Sequence, residues 1–391
     1  MNLYLILFTT FFIQLIIAME MNIIAPLAPY IANYFNIKDS YVLFFNIGFS
    51  LVGILVPFLG AFADKYGKKR SIVLALIFFV SGAMISGFSK LPRVFAIGRI
   101  FIGIGYFSLS GNCLSYLSEF VPYESRGKAS GILRIAFGIA ILFSPLYATS
   151  LIARFNNLIS VYLPLGVIGI ITLLLMLKLP ETQRNDDIKV ETKELVALLK
   201  KPTHFKALLI AFLFLATPLL LMSFLGIYLS NSHGFNQLSI GYAYTIIALG
   251  TMFGVVIAFF LTDKIGKEKL SKLSYGIVFS TLVVLMFLNN PYIIIGFMIF
   301  MSMGLDAGWT AYQTLLSEME PEKRGTFMSL LYMVNAIAVT LYSLLGPIIY
   351  DLGGYKSLII VSLVTNFIAL KMLASMSLEN IIYNRNKPPS N

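Results

Sequence analysis

The stretch "GAFADKYGKKR", residues 60–70, sets one Asp, three Lys and one Arg around two glycines. On one side of it runs "YVLFFNIGFSLVGILVPFL" and on the other "SIVLALIFFV", both almost free of charge. A dense polar knot between two long apolar runs is what a loop between two membrane-spanning helices looks like, because a spanning helix needs about 20 mostly apolar residues. Composition agrees along the whole chain. Of 391 residues, 58% are hydrophobic and only 12% are charged, against about 25% charged in a soluble domain, and the mean hydropathy is +0.85. The runs are too long and too uniformly apolar for barrel strands, which alternate over about 10 residues. The fold class expected is an all-α polytopic membrane protein.

Breaking the chain at its polar clusters gives twelve apolar segments, near 4–31, 41–62, 71–89, 94–116, 128–152, 160–179, 205–229, 239–262, 273–289, 292–315, 326–349 and 357–376. The first has no basic flank before it and is too long for a signal-peptide core, so it reads as a span. With an even number of spans both termini share one side. One assignment puts 22 Lys and Arg on that side and five (Lys38, Lys90, Arg93, Arg154, Lys356) on the other, with Arg99 and Arg134 inside spans. The positive-inside rule then makes the termini cytoplasmic, in the cell membrane. The formal net charge of +11 is thus mostly topology, and nucleic acid is not an expected partner. Cys113 is the only cysteine, which excludes an intrachain disulfide and a cysteine-rich metal site. The segment from Lys178 to Phe205 divides six spans from six, and Ile188, Leu195, Leu198 and Leu199 within it have helical spacing, which predicts a short amphipathic helix at the cytoplasmic surface or a plain linker.

The opening stretch recurs. "DKYGK" begins at Asp64 and "DKIGK" at Asp263, an offset of 199. "SEFVPYESRG" begins at Ser118 and "SEMEPEKRG" at Ser317, the same offset of 199. Each pair falls at one place in its half, after the second span and after the fourth. The halves are therefore parallel six-span repeats, an architecture of transporters with a site between repeats. The domain boundaries expected are 1–179 for the first bundle, 180–204 for the central loop, 205–376 for the second bundle and 377–391 for a cytoplasmic tail.

Gly60, Asp64, Lys65, Gly67, Lys68 and Lys69 resemble the signature loop of the major facilitator superfamily, G-x-x-x-D-[RK]-x-G-[RK]-[RK]. Arg99, Gly103 and Gly105 resemble the family's R-x-x-x-G-x-G in span four, and "LPET" at 179–182 resembles its usual end of span six. The resemblance covers the whole chain. It implies two six-helix bundles related by a pseudo-two-fold axis and a secondary transporter working by alternating access. Length and the span-one and loop pattern are nearest the drug/proton antiporter branch, but span five reads "FSPLYATS", with Pro145 and without the flanking glycines usual there. Proton-coupled export of amphipathic or drug-like compounds is the first expectation. Proton symport or facilitated uptake of a sugar or organic anion is the alternative. The second loop copy carries Phe259 where the first has Gly60.

Four charges lie well inside spans: Glu20, Arg99, Arg134 and Asp306. Intramembrane charge is costly and points to function. In this family spans one, four, seven and ten line the cavity, which implies that Glu20, Arg99 and Asp306 face it. At about 1.5 Å per residue, Glu20 and Arg99 both fall in the outer half and can pair, and a carboxylate that alternates between paired and protonated forms is what proton coupling requires. Pro26 after Glu20 and Pro218 in span seven are breaks of the kind that mark transporter sites. Arg134 and Asp306 fall in the inner half and are candidates for an inner gate. Trp309, Tyr312 and Gln313 share a helical neighbourhood with Asp306, with Trp309 and Gln313 as lesser solute contacts and ordinary packing as the competing role. "GTMFG" in span eight and "GKASG" entering span five suggest close crossings between the halves. Gly60 suggests another close approach, and Gly67 a turn with positive φ.

No nucleotide-binding loop, metal-ligand cluster or catalytic triad occurs, so the reading is not an enzyme and needs no cofactor. The partners expected are a small solute, protons and the bilayer, with a functional monomer. By the family pattern spans two and eleven meet across the halves. Asp64 is then expected to dock on the start of span eleven and latch the cytoplasmic side, with Glu119, Arg126, Asp263, Glu318 and Arg324 in one charge network. Asp64→Asn should weaken transport and favour the inward-open state. Unchanged transport together with unchanged cytoplasmic labelling would remove the latch.

Overall fold

The computed structural model describes residues 3–122, 126–182, 192–321 and 323–379. All regular elements among them are helices. Ten stretches are long and apolar enough to cross a membrane. One of these, α15 (Arg324–Met376), has 53 residues, or about 80 Å at helical rise, far more than a bilayer core of about 30 Å. It breaks at Gly354, where φ is 64°, so two of the expected segments lie in it. The remaining expected segment is α13 (Lys267–Leu285), whose first turns carry Lys267, Glu268, Lys269 and Lys272. Large apolar side chains stay exposed along these helices, as on α12 (Gln237–Ile265) with Phe253 at 61% and Phe259 at 78%. A soluble monomer does not leave such a surface to water, whereas lipid chains cover it.

Two of the spans are discontinuous, and each break has a proline behind it. The first span is α1 (Leu3–Met21) followed by α2 (Ile24–Phe35). Pro26 has no N–H for the carbonyl of Asn22, so the ladder opens just after Glu20. In the seventh span α10 (Pro202–Phe214) ends where Pro218 fails to reach the carbonyl of Phe214, and a π-helical segment Pro218–Met222 precedes α11 (Ser223–His233). The second span is irregular too. A 3-10 segment Asp39–Phe44 leads into α3 (Phe45–Leu51), and another, Val52–Leu55, leads into α4 (Val56–Tyr66). The regular spans are α5 (Lys68–Phe88), α6 (Pro92–Phe120), α7 (Arg126–Phe155), α8 (Ile159–Lys178) and α14 (Pro291–Ser317). Several hydroxyls within spans are satisfied on the preceding turn, as Thr10 is by donating to Ile6 O at 2.8 Å.

The chain forms two compact units, one of Met1–Val190 with Ser223–Thr245 and Val339–Pro347, the other of Glu191–Met222, Ile246–Ala338 and Ile348–Asn391. In the first, α5 packs on α6 and α8, and α1 on α6, α7 and α8. Here α2 meets α11, where a Cβ on Gly226 would come 2.8 Å from Ala25 O, and Gln237 donates to Pro26 O at 2.7 Å. In the second, α13 packs on α14, Phe214 stacks face to face on Tyr275, and Tyr312 donates to Ala207 O at 2.7 Å. The short helix α9 (Thr192–Lys200) belongs to this unit and buries Leu195 and Leu198. Its apolar stripe is as expected, but the protein covers those two leucines. Ile188 lies outside the described residues.

Three small-residue expectations change. Gly250 and Gly254 do mark a close crossing, since a Cβ there would lie 2.2 Å from Ile299 O and 2.4 Å from Met303 O. That crossing is α12 on α14, inside the second unit rather than between halves. A Cβ at Gly131 or at Gly60 would meet nothing within 4 Å, so neither position is required to be glycine by packing in this conformation. Gly67 is different. It is the single residue between α4 and α5, at φ 97° and ψ 132°, a region in which a side chain costs about 1–3 kcal/mol. Gly266 repeats it between α12 and α13 at φ 91° and ψ 144°. Gly67→Ala and Gly266→Ala should each lower stability by about 1–3 kcal/mol, while Gly60→Ala should not. Melting temperatures of the purified variants in detergent check all three.

Candidate functional site

Glu20 stands on the last turn of α1, immediately before the break at Asn22 and Ile23. Arg99 stands two turns into α6. The Arg99 guanidinium donates to Glu20 Oε1, and the side chains are 2% and 0% exposed. The pair that the sequence allowed is formed, wholly inside the first unit. Two residues of α3 complete the guanidinium's surroundings. Asn46 Oδ1 accepts from Arg99 Nη2 at 3.2 Å, and the Phe49 ring lies 4.7 Å from the guanidinium carbon, within cation–π range. Helix α3 reaches α6 this closely because Gly103 has no side chain: a Cβ there would sit 2.4 Å from Phe49 O. Gly105 likewise admits α5, with Ala75 O at 2.9 Å from its would-be Cβ. The R-x-x-x-G-x-G stretch thus supplies a charge and the room for the elements around it.

The site is not saturated. Glu20 Oε2, Arg99 Nε and the Tyr162 hydroxyl are buried without a hydrogen-bond partner among the described residues. Such groups in a low-dielectric interior are costly and usually have a purpose. A carboxylate with one free oxygen beside a helix break can take a proton there and release its arginine.

The signature loops form a second, duplicated feature. Lys68 pairs with Glu119 in the first unit, and Lys267 with Glu318 at 2.7 Å in the second. These are the same two positions of the 199-residue repeat. Both loops also receive a cap from a residue farther along the chain in the same unit. The Thr182 hydroxyl accepts from Lys68 N at 2.8 Å, and the Glu379 carboxylate accepts from Glu268 N at 3.0 Å, each satisfying an N–H that the helix start leaves orphaned. Lys69 donates to Leu177 O at 3.0 Å and pairs with Glu181 at 3.6 Å, so "LPET" is fastened to the loop. The single charge network expected from sequence resolves, within each unit, into these separate Lys–Glu pairs. Asp64 is half-buried and Asp263 exposed. Neither forms an ion pair with a described residue of its own unit. Lys65 lies over the Tyr66 ring, and Arg324 donates to Ser317 O at 2.8 Å. The side chain of Arg126 lies outside the described residues.

In the second unit Asp306, Trp309 and Gln313 form a half-buried stripe on α14. Thr251 of α12 lies close to Asp306, and Gln313 donates to the Tyr332 hydroxyl at 3.4 Å. Tyr312 is fully buried and serves packing. Arg134, expected as a buried gate residue, is exposed on α7; its long side chain can carry its charge out of the apolar layer. Sequence reasoning missed Asn46, Phe49 and Glu379, and it noted Thr182 only as the end of "LPET". Asn46 did carry a signal, as a lone amide three residues before Phe49 in an apolar run. It also missed a cluster at the start of α10, where His204 Nε2 lies 3.2 Å from Glu320 and Nδ1 3.2 Å from Leu198 O.

A family description, Major Facilitator Superfamily, matches residues 10–292 and 219–389. The chain belongs to the Major Facilitator Superfamily. It is a multi-pass membrane protein of a family of transporters. Among its relatives, multidrug resistance protein 1 of Bacillus subtilis (strain 168) is 22% identical over 361 residues, covering 89% of each chain. The class H tetracycline resistance protein of Pasteurella multocida is 27% identical over 133 residues, 33% of each chain. Among solved structures, a D-xylose-proton symporter is similar with a TM-score of 0.76 at 17% identity, covering 97% of this chain and 99% of that one.

A buried pair broken on one side leaves an uncompensated charge, at a cost of about 3–5 kcal/mol, whereas replacing both members is far milder. Glu20→Gln and Arg99→Met should therefore each destabilise this superfamily member more than the double variant does. Melting temperatures of the two singles and the double check this.

Proposed function

We propose that this chain is a secondary active transporter of the cytoplasmic membrane, working by alternating access of two six-helix halves and coupled to protons through Glu20 and Arg99. The observation that carries the reading is the buried Glu20–Arg99 pair with its unused oxygen, set at a helix break. Protonation of Glu20 would release Arg99, and loss of the proton would restore the pair. A conformational cycle that presents Glu20 to each side in turn would move that proton down its gradient. Solute leaving as the proton enters gives export. The relatives named for multidrug and tetracycline resistance support export of amphipathic or drug-like compounds. Asp306, Trp309 and Gln313 on their half-buried stripe, with Arg134, are proposed to contact solute or gate its path. Asp64 is proposed as the cytoplasmic latch, its carboxylate forming no ion pair with the described residues of its own unit. The protein is proposed to act as a monomer with both termini cytoplasmic and without a cofactor.

A second reading is uptake of a sugar or organic anion by proton symport or facilitation. It is favoured by "FSPLYATS" in α7, which lacks the glycines of the antiporter pattern, and by the likeness to a structure titled as a D-xylose-proton symporter. Proteoliposomes with an imposed pH gradient separate the two by the direction in which dyes or sugars move. Glu20→Gln is expected to abolish accumulation against a gradient while leaving downhill exchange. A variant that still concentrates solute would remove Glu20 from the coupling step.

A further inference from the structure

Arg99 has more than one counterpart, and both of the others come from a single short helix. Asn46 and Phe49 lie three residues apart on α3, hence on one face. The amide oxygen takes Arg99 Nη2 and the ring covers the guanidinium. Helix α3 is seven residues long and is bounded on both sides by 3-10 segments, a pattern that often marks a hinge. The backbone of Phe49 is seated against Gly103, one turn beyond Arg99. Among the described residues, the other titratable group that bears on Arg99 is Tyr162 of α8. Helix α5 brings the uncharged Ser86 to this end. Tyr106 of α6 donates to Met21 Sδ, Tyr34 of α2 donates to Ser89 O, and Arg134 and Arg154 of α7 are exposed.

We infer that Asn46 and Phe49 are positioning residues that hold the Arg99 cation when Glu20 becomes protonated, and so set the pH at which the pair opens. This rests on the reading of Glu20 as a protonatable coupling group. The physics is an exchange of partners. A buried cation that loses its carboxylate is stranded unless other groups stabilise it. An aromatic face and an amide oxygen can do so without adding charge. They therefore stabilise the open, protonated state more than the closed one, where the carboxylate already dominates. Removing the ring should make Glu20 harder to protonate. Adding a second carboxylate at position 46 should make it easier, because Arg99 keeps a partner and Glu20 gains an anionic neighbour.

The test needs no solute. The carboxylic-acid band of Glu20 is followed by infrared difference spectroscopy in the purified full-length protein in lipid vesicles, titrated with pH, and assigned by its loss in Glu20→Gln. Phe49→Leu should move the midpoint to lower pH by about one unit, a tenfold change in proton affinity. Asn46→Asp should move it to higher pH, and Phe49→Tyr, which keeps the ring, should restore the original midpoint. Opposite shifts from neighbouring positions are not what general loosening produces, and if Phe49→Leu fails to fold, the Asn46→Asp shift decides. A midpoint unchanged in Phe49→Leu or moved to lower pH in Asn46→Asp overturns the inference and leaves the coupling role standing. Absence of any titrating Glu20 band in the native protein overturns both.

Discussion

The guanidinium of Arg99 is the constraint around which the first unit is arranged. A permanent cation in an apolar layer is costly unless its surroundings stabilise it, and four separate stretches of chain contribute to those surroundings. Helix α1 brings the carboxylate, α3 the amide and ring, α8 the tyrosine, and α6 itself the two glycines that let its neighbours come close. The break after Glu20 is part of the same arrangement. An unbroken helix would give Glu20 a rigid backbone, whereas here the turn that follows it lacks one bond of the ladder because of Pro26. Charge and flexibility are placed together.

The loops between the second and third span of each half are built to one plan. A lone glycine with positive φ joins two helices, a lysine just after it pairs with a glutamate at the end of another span, and a side chain from farther along the chain in the same unit caps the new helix. The capping atoms differ, a hydroxyl in one unit and a carboxylate in the other. The shared need is the orphan N–H at a helix start, and either oxygen meets it. This is why the repeat is visible in "DKYGK" and "DKIGK" but not in the residues that cap them.

Much of the architecture was legible in advance because the bilayer imposes simple rules. Long apolar runs separated by charge located the helices, and the constant offset of 199 exposed the duplication. Helical rise placed Glu20 and Arg99 at similar depth and so allowed the pair without requiring it. What could not be read were relations that depend on which faces meet. Gly250 and Gly254 announced a close crossing without naming α14 as its partner. Gly60 looked like a packing glycine and has open space beside it. Asn46 stood out only as a lone amide in an apolar run and Phe49 not at all, because their importance comes from facing Arg99. Arg134 looked buried by its position, yet its side chain is exposed, and a long side chain can carry its charge out of an apolar layer.

The one-residue corners at Gly67 and Gly266 carry a mechanical consequence. A loop of many residues isolates two helices, since each can tilt while the loop absorbs the difference. A corner of a single residue has two soft dihedrals and almost no slack. The spans on either side of it must then tilt together, and the Lys–Glu pair beside the corner is a short strut between that rigid elbow and the end of the fourth span. A push on the elbow is delivered along the whole length of both helices. Built this way, each corner couples the two helices it joins instead of letting them tilt independently.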